Sequence, residues 1–306
     1  VWRHHKIAGL RLFPLFPACP AKLVTPYPWD NRVVRVGWVT DIHLEFVEER
    51  VRIRFHETLR LAQLDALLIG GDTGTSHSLA GFLAELEETL DLPIYFVLGN
   101  HDFYESSVAA VRKEVARLSA TSRRLRWVSQ AGVVKLSEST ALVGHDSWAD
   151  GRCGDFLSSQ VLLNDYLLIE ELSVQDELQR TGFYRKERLL RKLNALGDQA
   201  AEYIRPVLAE ALRTFPHVFV LTHAPPFRES CWHEGRISSD DYLPHFTSRA
   251  FGQALRETLE QHPDRHLTVL CGHTHGAGFA RIAVNLEVWT GGAEYGKPIL
   301  QRVFEV

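Results

Sequence analysis

The sequence predicts an α/β protein with a parallel sheet at its core, and three observations carry that assignment. From Val33 onward, short β-rich apolar runs alternate with stretches of helical periodicity, the pattern of βαβ crossovers. Beyond residue 125 the apolar runs become short and closely connected, which points to antiparallel pairing in the second half. Five of the runs end in side chains able to bind metal or move protons, at the edge where open α/β sheets take their ligands.

Length and composition set the bounds. At 306 residues the chain suffices for one large domain or two ordinary ones. Hydrophobic residues at 45% and charged residues at 24% are ordinary for a soluble globular protein. A formal net charge of −4 gives no general attraction to nucleic acid or to an anionic membrane. No apolar run approaches the ~20 residues of a membrane-spanning helix. The four cysteines, Cys19, Cys153, Cys231 and Cys271, form no CxxC pair, so a reduced, cytoplasmic protein is expected. Methionine is absent, and the reading rests on local motifs rather than on long spacings.

Residues 1–32 stand apart as an irregular N-terminal extension, because Pro14, Pro17, Pro20, Pro26 and Pro28 break any helix or central strand there. The first strand is Val33 to Val39, leading into Asp41-Ile42-His43, and Val51, Phe55, Leu59 and Leu64 then recur at helical spacing. Asp65 to Ile69 is a second strand ending in Gly70-Gly71-Asp72, followed by a helix over roughly 77–90 that stops before Pro93. Ile94 to Leu98 is a third strand, running straight into Gly99-Asn100-His101-Asp102, and a third helix covers 105–118. Arg126-Trp127-Val128, Gly132 to Leu136 and Thr140 to Gly144 read as short antiparallel strands. Residues 151–197 read as a mainly helical insertion, placed to reach over the site. A helix over 198–214 precedes the strand Val218 to Leu221, which ends in Thr222-His223. Residues 227–248 read as a long loop. A helix near 249–261 precedes Leu267 to Leu270, which ends in Cys271-Gly272-His273-Thr274-His275. The remaining segments, to Phe304, read as strands of a second sheet.

The five strand ends carry Asp41 with His43, Asp72, Asn100 with His101 and Asp102, His223, and His273 with His275. Taken singly, each has an ordinary explanation. His223 would serve as a satisfied buried histidine, and Asp72 after two glycines as a turn residue. Together they make a metal centre the better account. Carboxylate, imidazole and amide oxygen without thiolate suit Mn, Fe, Zn, Co or Ni. Seven ligands exceed the needs of one tetrahedral ion and suit two divalent ions sharing a carboxylate, about 3.5–4 Å apart. Asp41 and His43 alternate by two, as do His273 and His275, so each pair faces one side if its segment is extended.

These residues resemble the calcineurin-like metallophosphoesterase superfamily, whose ordered blocks D-x-H, G-D, G-N-H-D/E, H and G-H-x-H match Asp41-Ile42-His43, Gly71-Asp72, Gly99 to Asp102, His223 and Gly272 to His275. The resemblance spans roughly residues 34–306. It implies a single domain over 33–306, folded as a four-layer α/β/β/α sandwich of two mixed β-sheets. It also implies one metal held by Asp41, His43, Asp72 and His275 and a second held by Asp72, Asn100, His223 and His273. His101 would then face the substrate and assist the leaving oxygen, with Asp102 orienting it. The implied activity is hydrolysis of phosphomonoesters or phosphodiesters by a hydroxide generated between the two metals.

The protein serine/threonine phosphatase branch carries an arginine-containing extension after the second block and a glutamate closing the third. Here Thr73-Gly74 and Asp102 stand instead. The expected substrate is therefore a small-molecule or nucleotide phosphoester rather than a phosphoprotein, with neither nucleic acid nor membrane as partner. Tyr104, His145, Trp148, Arg152, Arg228 and Trp232 are candidates to touch it, balanced against ordinary packing roles. A non-catalytic scaffold on the same fold would be expected to lose ligand positions, and none is lost. A nuclease would be expected to show a more basic groove.

Overall fold

The computed structural model describes residues 33–306; the predicted extension, 1–32, lies outside the described residues. The first half builds one sheet. Strands β1 (Arg35–Val39), β2 (Ala66–Ile69), β3 (Ile94–Phe96) and β4 (Leu125–Trp127) are linked by helices α1 (Glu49–Leu61), α2 (Leu79–Leu90) and α3 (Val108–Thr121). They pair in parallel in that order. This corrects the antiparallel expectation for Arg126-Trp127: the 14 residues of α3 carry the chain back along the sheet, so β4 enters beside β3 in the same direction.

The short helix α4 (Val128–Ala131) leads into the second sheet through β5 (Val134–Lys135) and β6 (Thr140–His145). Helices α5 (Asp165–Leu168), α6 (Gln175–Thr181) and α7 (Lys186–Thr214) precede β7 (His217–Thr222). The segment expected as one loop contains a small hairpin, β8 (Trp232–His233) and β9 (Arg236–Ile237), and a turn of helix, α8 (Leu243–Phe246). Helix α9 (Arg249–Glu260), β10 (His266–Cys271), β11 (Gly278–Ala283), β12 (Leu286–Thr290) and β13 (Arg302–Glu305) complete the chain. The second sheet has the order β11-β12-β10-β7-β6-β5. Its four inner strands are parallel and its two edge strands antiparallel. Strand β13 returns to the first sheet and pairs antiparallel with β1, so both sheets are mixed.

Side-chain alternation along each strand separates the layers. Val36, Trp38, Leu68 and Tyr95 point toward Leu142, Phe219, Leu221 and Leu270, forming an apolar layer between the sheets. The alternate residues Val39, Leu67, Ile69 and Phe96 pack under α1, α2 and α3. On the far side Val143, Val218, Val220 and Val269 pack under α7 and α9. The result is the expected α/β/β/α sandwich.

The expected helix start near residue 198 is too late, since α7 runs unbroken for 29 residues. Its buried stripe, Leu189, Leu193, Gly197, Ala200, Ile204, Leu208 and Ala211, keeps three- and four-residue spacing straight through that point. No helix among the described residues is long and apolar enough to cross a membrane.

Candidate metal centre

The candidate ligands come from two sheets rather than from the single sheet edge expected. Strands β1, β2 and β3 supply Asp41, His43, Asp72 and Asn100, while β7 and β10 of the facing sheet supply His223, His273 and His275. Backbone bonds lash the loops together within each sheet. Asp41 N donates to Gly71 O at 3.0 Å and His43 N to Asp72 O at 2.9 Å, and Gly272 N donates to His223 O at 2.9 Å.

The D-x-H and H-x-H segments are not extended, contrary to the alternation argument. Asp41, His43, Asp72, His273 and His275 all have positive φ, between 40° and 72°. Such a conformation costs a non-glycine residue about 1–3 kcal/mol, and its concentration at one place marks a functional site rather than a stable turn. Glycines permit the close approach. A Cβ on Gly99 would lie 2.1 Å from Asp72 Oδ1, and one on Gly272 would lie 1.8 Å from Asp41 Oδ2.

Four of the residues form one cluster: ligand atoms of Asp41, His43, Asp72 and His275 all lie within 4.8 Å of one another. His43 Nε2 and His275 Nε2 face each other at 3.1 Å. Asp72 Oδ2 lies 3.6 Å from His43 Nε2 and also 3.6 Å from His223 Nε2. Burial alone would raise the Asp72 pKa, but the surrounding imidazoles of His223, His101, His43 and His273 hold it far below the usual carboxylate range. One carboxylate oxygen therefore faces both halves of the site.

The second half is built around Asn100. Its Oδ1 lies 3.0 Å from His223 Nε2 and 2.9 Å from His273 Nδ1. The opposite nitrogen of each ring meets a backbone carbonyl: His223 Nδ1 with Gly70 O at 2.9 Å, His273 Nε2 with His245 O at 3.3 Å. A carbonyl only accepts, so those nitrogens carry protons, and in the neutral rings the converging nitrogens would present lone pairs. The amide is fixed as well, because Asn100 Nδ2 donates to Asp165 Oδ1 at 2.8 Å. Three ligand-type atoms thus point at one another. That donor set fits a cation, and second partners that set ring tautomers are the usual support of metal ligands.

His101 lies beside both clusters without joining either tetrad. Its backbone N–H donates to Asp72 Oδ1 at 2.9 Å, and its ring stands 4.5 Å from that of His43 and 4.3 Å from that of Tyr104. Burial would lower its pKa, but the charges of Asp72, Glu45 and Asp165 outweigh burial and raise it to about 9. Asp102 does not orient this ring, contrary to expectation. Its carboxylate accepts the backbone N–H groups of Asp72, Thr73, Gly74 and Gly99 at 2.8–3.0 Å. Asp102 therefore ties the β2 loop to the β3 loop. The carboxylate near the His101 ring is Glu45, whose Oε1 lies 3.8 Å from His101 Nδ1 and 3.6 Å from His43 Nδ1.

Of the six candidate substrate contacts, two stay near the centre. Tyr104 packs on His101 and donates from its hydroxyl to Asp165 at 2.8 Å. Trp148 lines a cleft with Asn100, Asp165, His223 and His273. The others are committed elsewhere. His145 Nδ1 accepts from Ser147 N at 2.9 Å, Arg152 pairs with Asp150 and Asp198, and Arg228 pairs with Asp240. Trp232 sits on the hairpin that braces the last motif through His233 Nδ1 and Thr274 O. Glu45 and Asp165 escaped the sequence reading. Glu45 had a weak signal, two residues beyond His43, whereas Asp165 had none.

Comparison with known proteins follows the same line. The calcineurin-like phosphoesterase family matches residues 34–277. No curated protein matches the chain significantly. The fold is similar to that of phosphopantetheinyl hydrolase from Mycobacterium tuberculosis (TM-score 0.61, 13% identity, 90% of this chain and 96% of that one). It is also similar to a dimetal phosphatase from Danio rerio (TM-score 0.52, 15% identity, 85% and 88%). With its motifs in order, its layered fold and a candidate His/Asp metal cluster, the chain belongs to the calcineurin-like phosphoesterase family.

Proposed function

We propose that this protein is a metal-dependent phosphoesterase that uses two divalent cations to hydrolyse phosphomonoesters or phosphodiesters of small molecules or nucleotides. The observation that carries the reading is the convergence of ligand-type atoms: His43 Nε2 on His275 Nε2, and Asn100 Oδ1 on His223 and His273, with Asp72 Oδ2 facing both groups. Asp41, His43, Asp72 and His275 would hold one cation, and Asp72, Asn100, His223 and His273 the other. Bound there, such ions supply an activated water near neutral pH and stabilise charge developing on a phosphoryl group.

The chain's own residues do the rest. The strained loops fix the ligand atoms in advance, so little reorganisation is needed as charge develops. Glu45, which stands outside both proposed ligand sets, lies 3.8 Å from His101 Nδ1 and is the carboxylate that would help hold a proton on this ring. With Nδ1 turned toward Glu45, Nε2 is the atom that would protonate a leaving alkoxide.

The test is hydrolysis of p-nitrophenyl phosphate and bis-p-nitrophenyl phosphate with Mn added and with chelator. Metal-dependent, chelator-sensitive release of p-nitrophenol is expected, and the ratio of the two rates assigns monoester or diester preference. No metal-dependent hydrolysis of either ester would refute the reading and favour a scaffold role.

A further inference from the structure

A pair of aromatic rings borders the centre on the side where His101 sits. The Tyr295 ring lies 4.7 Å from that of His43, 5.2 Å from that of His275 and 6.3 Å from that of His101. Phe46 packs edge-to-face on Tyr295 at 4.9 Å. Both rings are uncovered on their outer side, with Phe46 55% and Tyr295 49% exposed. Two large aromatics side by side in water at the mouth of a polar centre are costly to leave bare, since each carries a large apolar area.

Their positions are tied to the candidate ligands. Phe46 N donates to His43 O at 3.0 Å, so Phe46 rides on the same turn as His43. Ala293 N donates to His275 O at 3.1 Å, which anchors the segment carrying Tyr295. The charges in these segments are already matched. Lys297 Nζ lies 2.6 Å from Glu294, and Glu45 faces His43 and His101. This face therefore offers two aromatic rings, with Glu45 turned to the histidines and Lys297 paired on the surface with Glu294.

We infer that Phe46 and Tyr295 form the subsite for the organic part of the substrate, and that it takes a flat, uncharged aromatic group attached to the phosphate. The inference rests on the phosphoesterase reading, because the phosphate is assigned to the metal centre beside the rings. An aryl group and a nucleobase share this chemistry, and the experiment separates them.

Binding of four non-hydrolysable phosphonates to the full chain in Mn is measured by calorimetry, and inhibition of p-nitrophenyl phosphate hydrolysis in parallel. The four are methylphosphonate, cyclohexylmethylphosphonate, benzylphosphonate and an adenine-bearing alkylphosphonate. One or both of the aromatic compounds should bind about tenfold tighter than the methyl compound and tighter than the saturated ring, as a stacked pair plus its covered area allows. Which of the two is preferred assigns aryl or nucleobase. In Phe46→Ala with Tyr295→Leu that advantage should fall below about threefold. In Phe46→Trp with Tyr295→Phe, which keeps both platforms, it should persist. Equal binding of methyl and aromatic compounds by the wild type, or an advantage that survives Phe46→Ala with Tyr295→Leu, would overturn the inference. Phe46→Ala alone, at an exposed position, gives the same readout if the double variant does not fold. An aromatic advantage seen by calorimetry in a chain without metal-dependent hydrolysis would retain the subsite and refute the phosphoesterase reading.

Discussion

The side-chain amide of Asn100 donates to Asp165 Oδ1 at 2.8 Å, and both residues are buried. A carboxylate only accepts, so this bond turns the amide oxygen of Asn100 toward His223 and His273. Replacing Asp165 by leucine leaves the amide nitrogen only the Tyr104 hydroxyl, at 3.2 Å, and weakens the hold on its orientation. Affinity for the more weakly held of two Mn ions should fall about 10–100-fold. Asp165→Asn, which retains an acceptor oxygen, should lose much less. Calorimetric titration of the two variants, with melting temperature as a control on folding, decides it; equal affinities would remove Asp165 from this role.

His101 stands against both clusters without belonging to either tetrad, and in the proposed function it donates a proton rather than binding metal. His101→Asn should retain metal content while kcat on an alkyl phosphate falls about 10²–10⁴-fold. On p-nitrophenyl phosphate, whose leaving group needs no proton, the loss should be much smaller. A uniform loss on both esters would argue against proton donation.

Gly99 owes its place to sterics. A Cβ there would meet Asp72 Oδ1 at 2.1 Å and Asp72 N at 2.5 Å. Gly99→Ala should destabilise the fold by about 1–3 kcal/mol and reduce metal content, because Asp72 must move. Gly81→Ala, in α2 with open space around the new methyl, should stabilise by about 0.5–1 kcal/mol. Urea unfolding of both variants at one pH tests the pair.

His145, a buried histidine outside both proposed ligand sets, provides a pH signature of its own. Burial lowers its pKa to about 4, below the ~6.5 of an unfolded histidine. The unfolded chain therefore takes up the proton first as pH falls, and the stabilising contribution present above pH 6.5 is lost on the way down toward pH 4. Between pH 7 and pH 5 this amounts to about 2 kcal/mol. The stability gap between wild type and His145→Gln should shrink by that order over this range. Parallel unfolding curves at the two pH values would show no shift in His145.

The strands and the ligand types at their ends were legible because both are local signals, whereas the four layers and the grouping into two tetrads came only from the family resemblance. The sequence did not reveal which strands pair. β4 joined the parallel sheet because α3 returned the chain, and the candidate ligands came from two facing sheets. The role given to Asp102 failed because adjacency in the motif says nothing of where a carboxylate turns. Here four backbone N–H groups claim it. Asp165 and Tyr295 reach the centre only through tertiary packing, so no spacing announces them.

In the proposed function one carboxylate, Asp72, serves two metal positions. Anomalous diffraction from crystals grown in Mn, recorded across the Mn edge, tests it most directly. Two peaks about 3.5–4 Å apart are predicted, one among Asp41, His43, Asp72 and His275 and the other among Asp72, Asn100, His223 and His273. No peak at these residues, or a single peak that leaves Asn100, His223 and His273 without a cation at saturating Mn, would show that Asp72 does not bridge two metals.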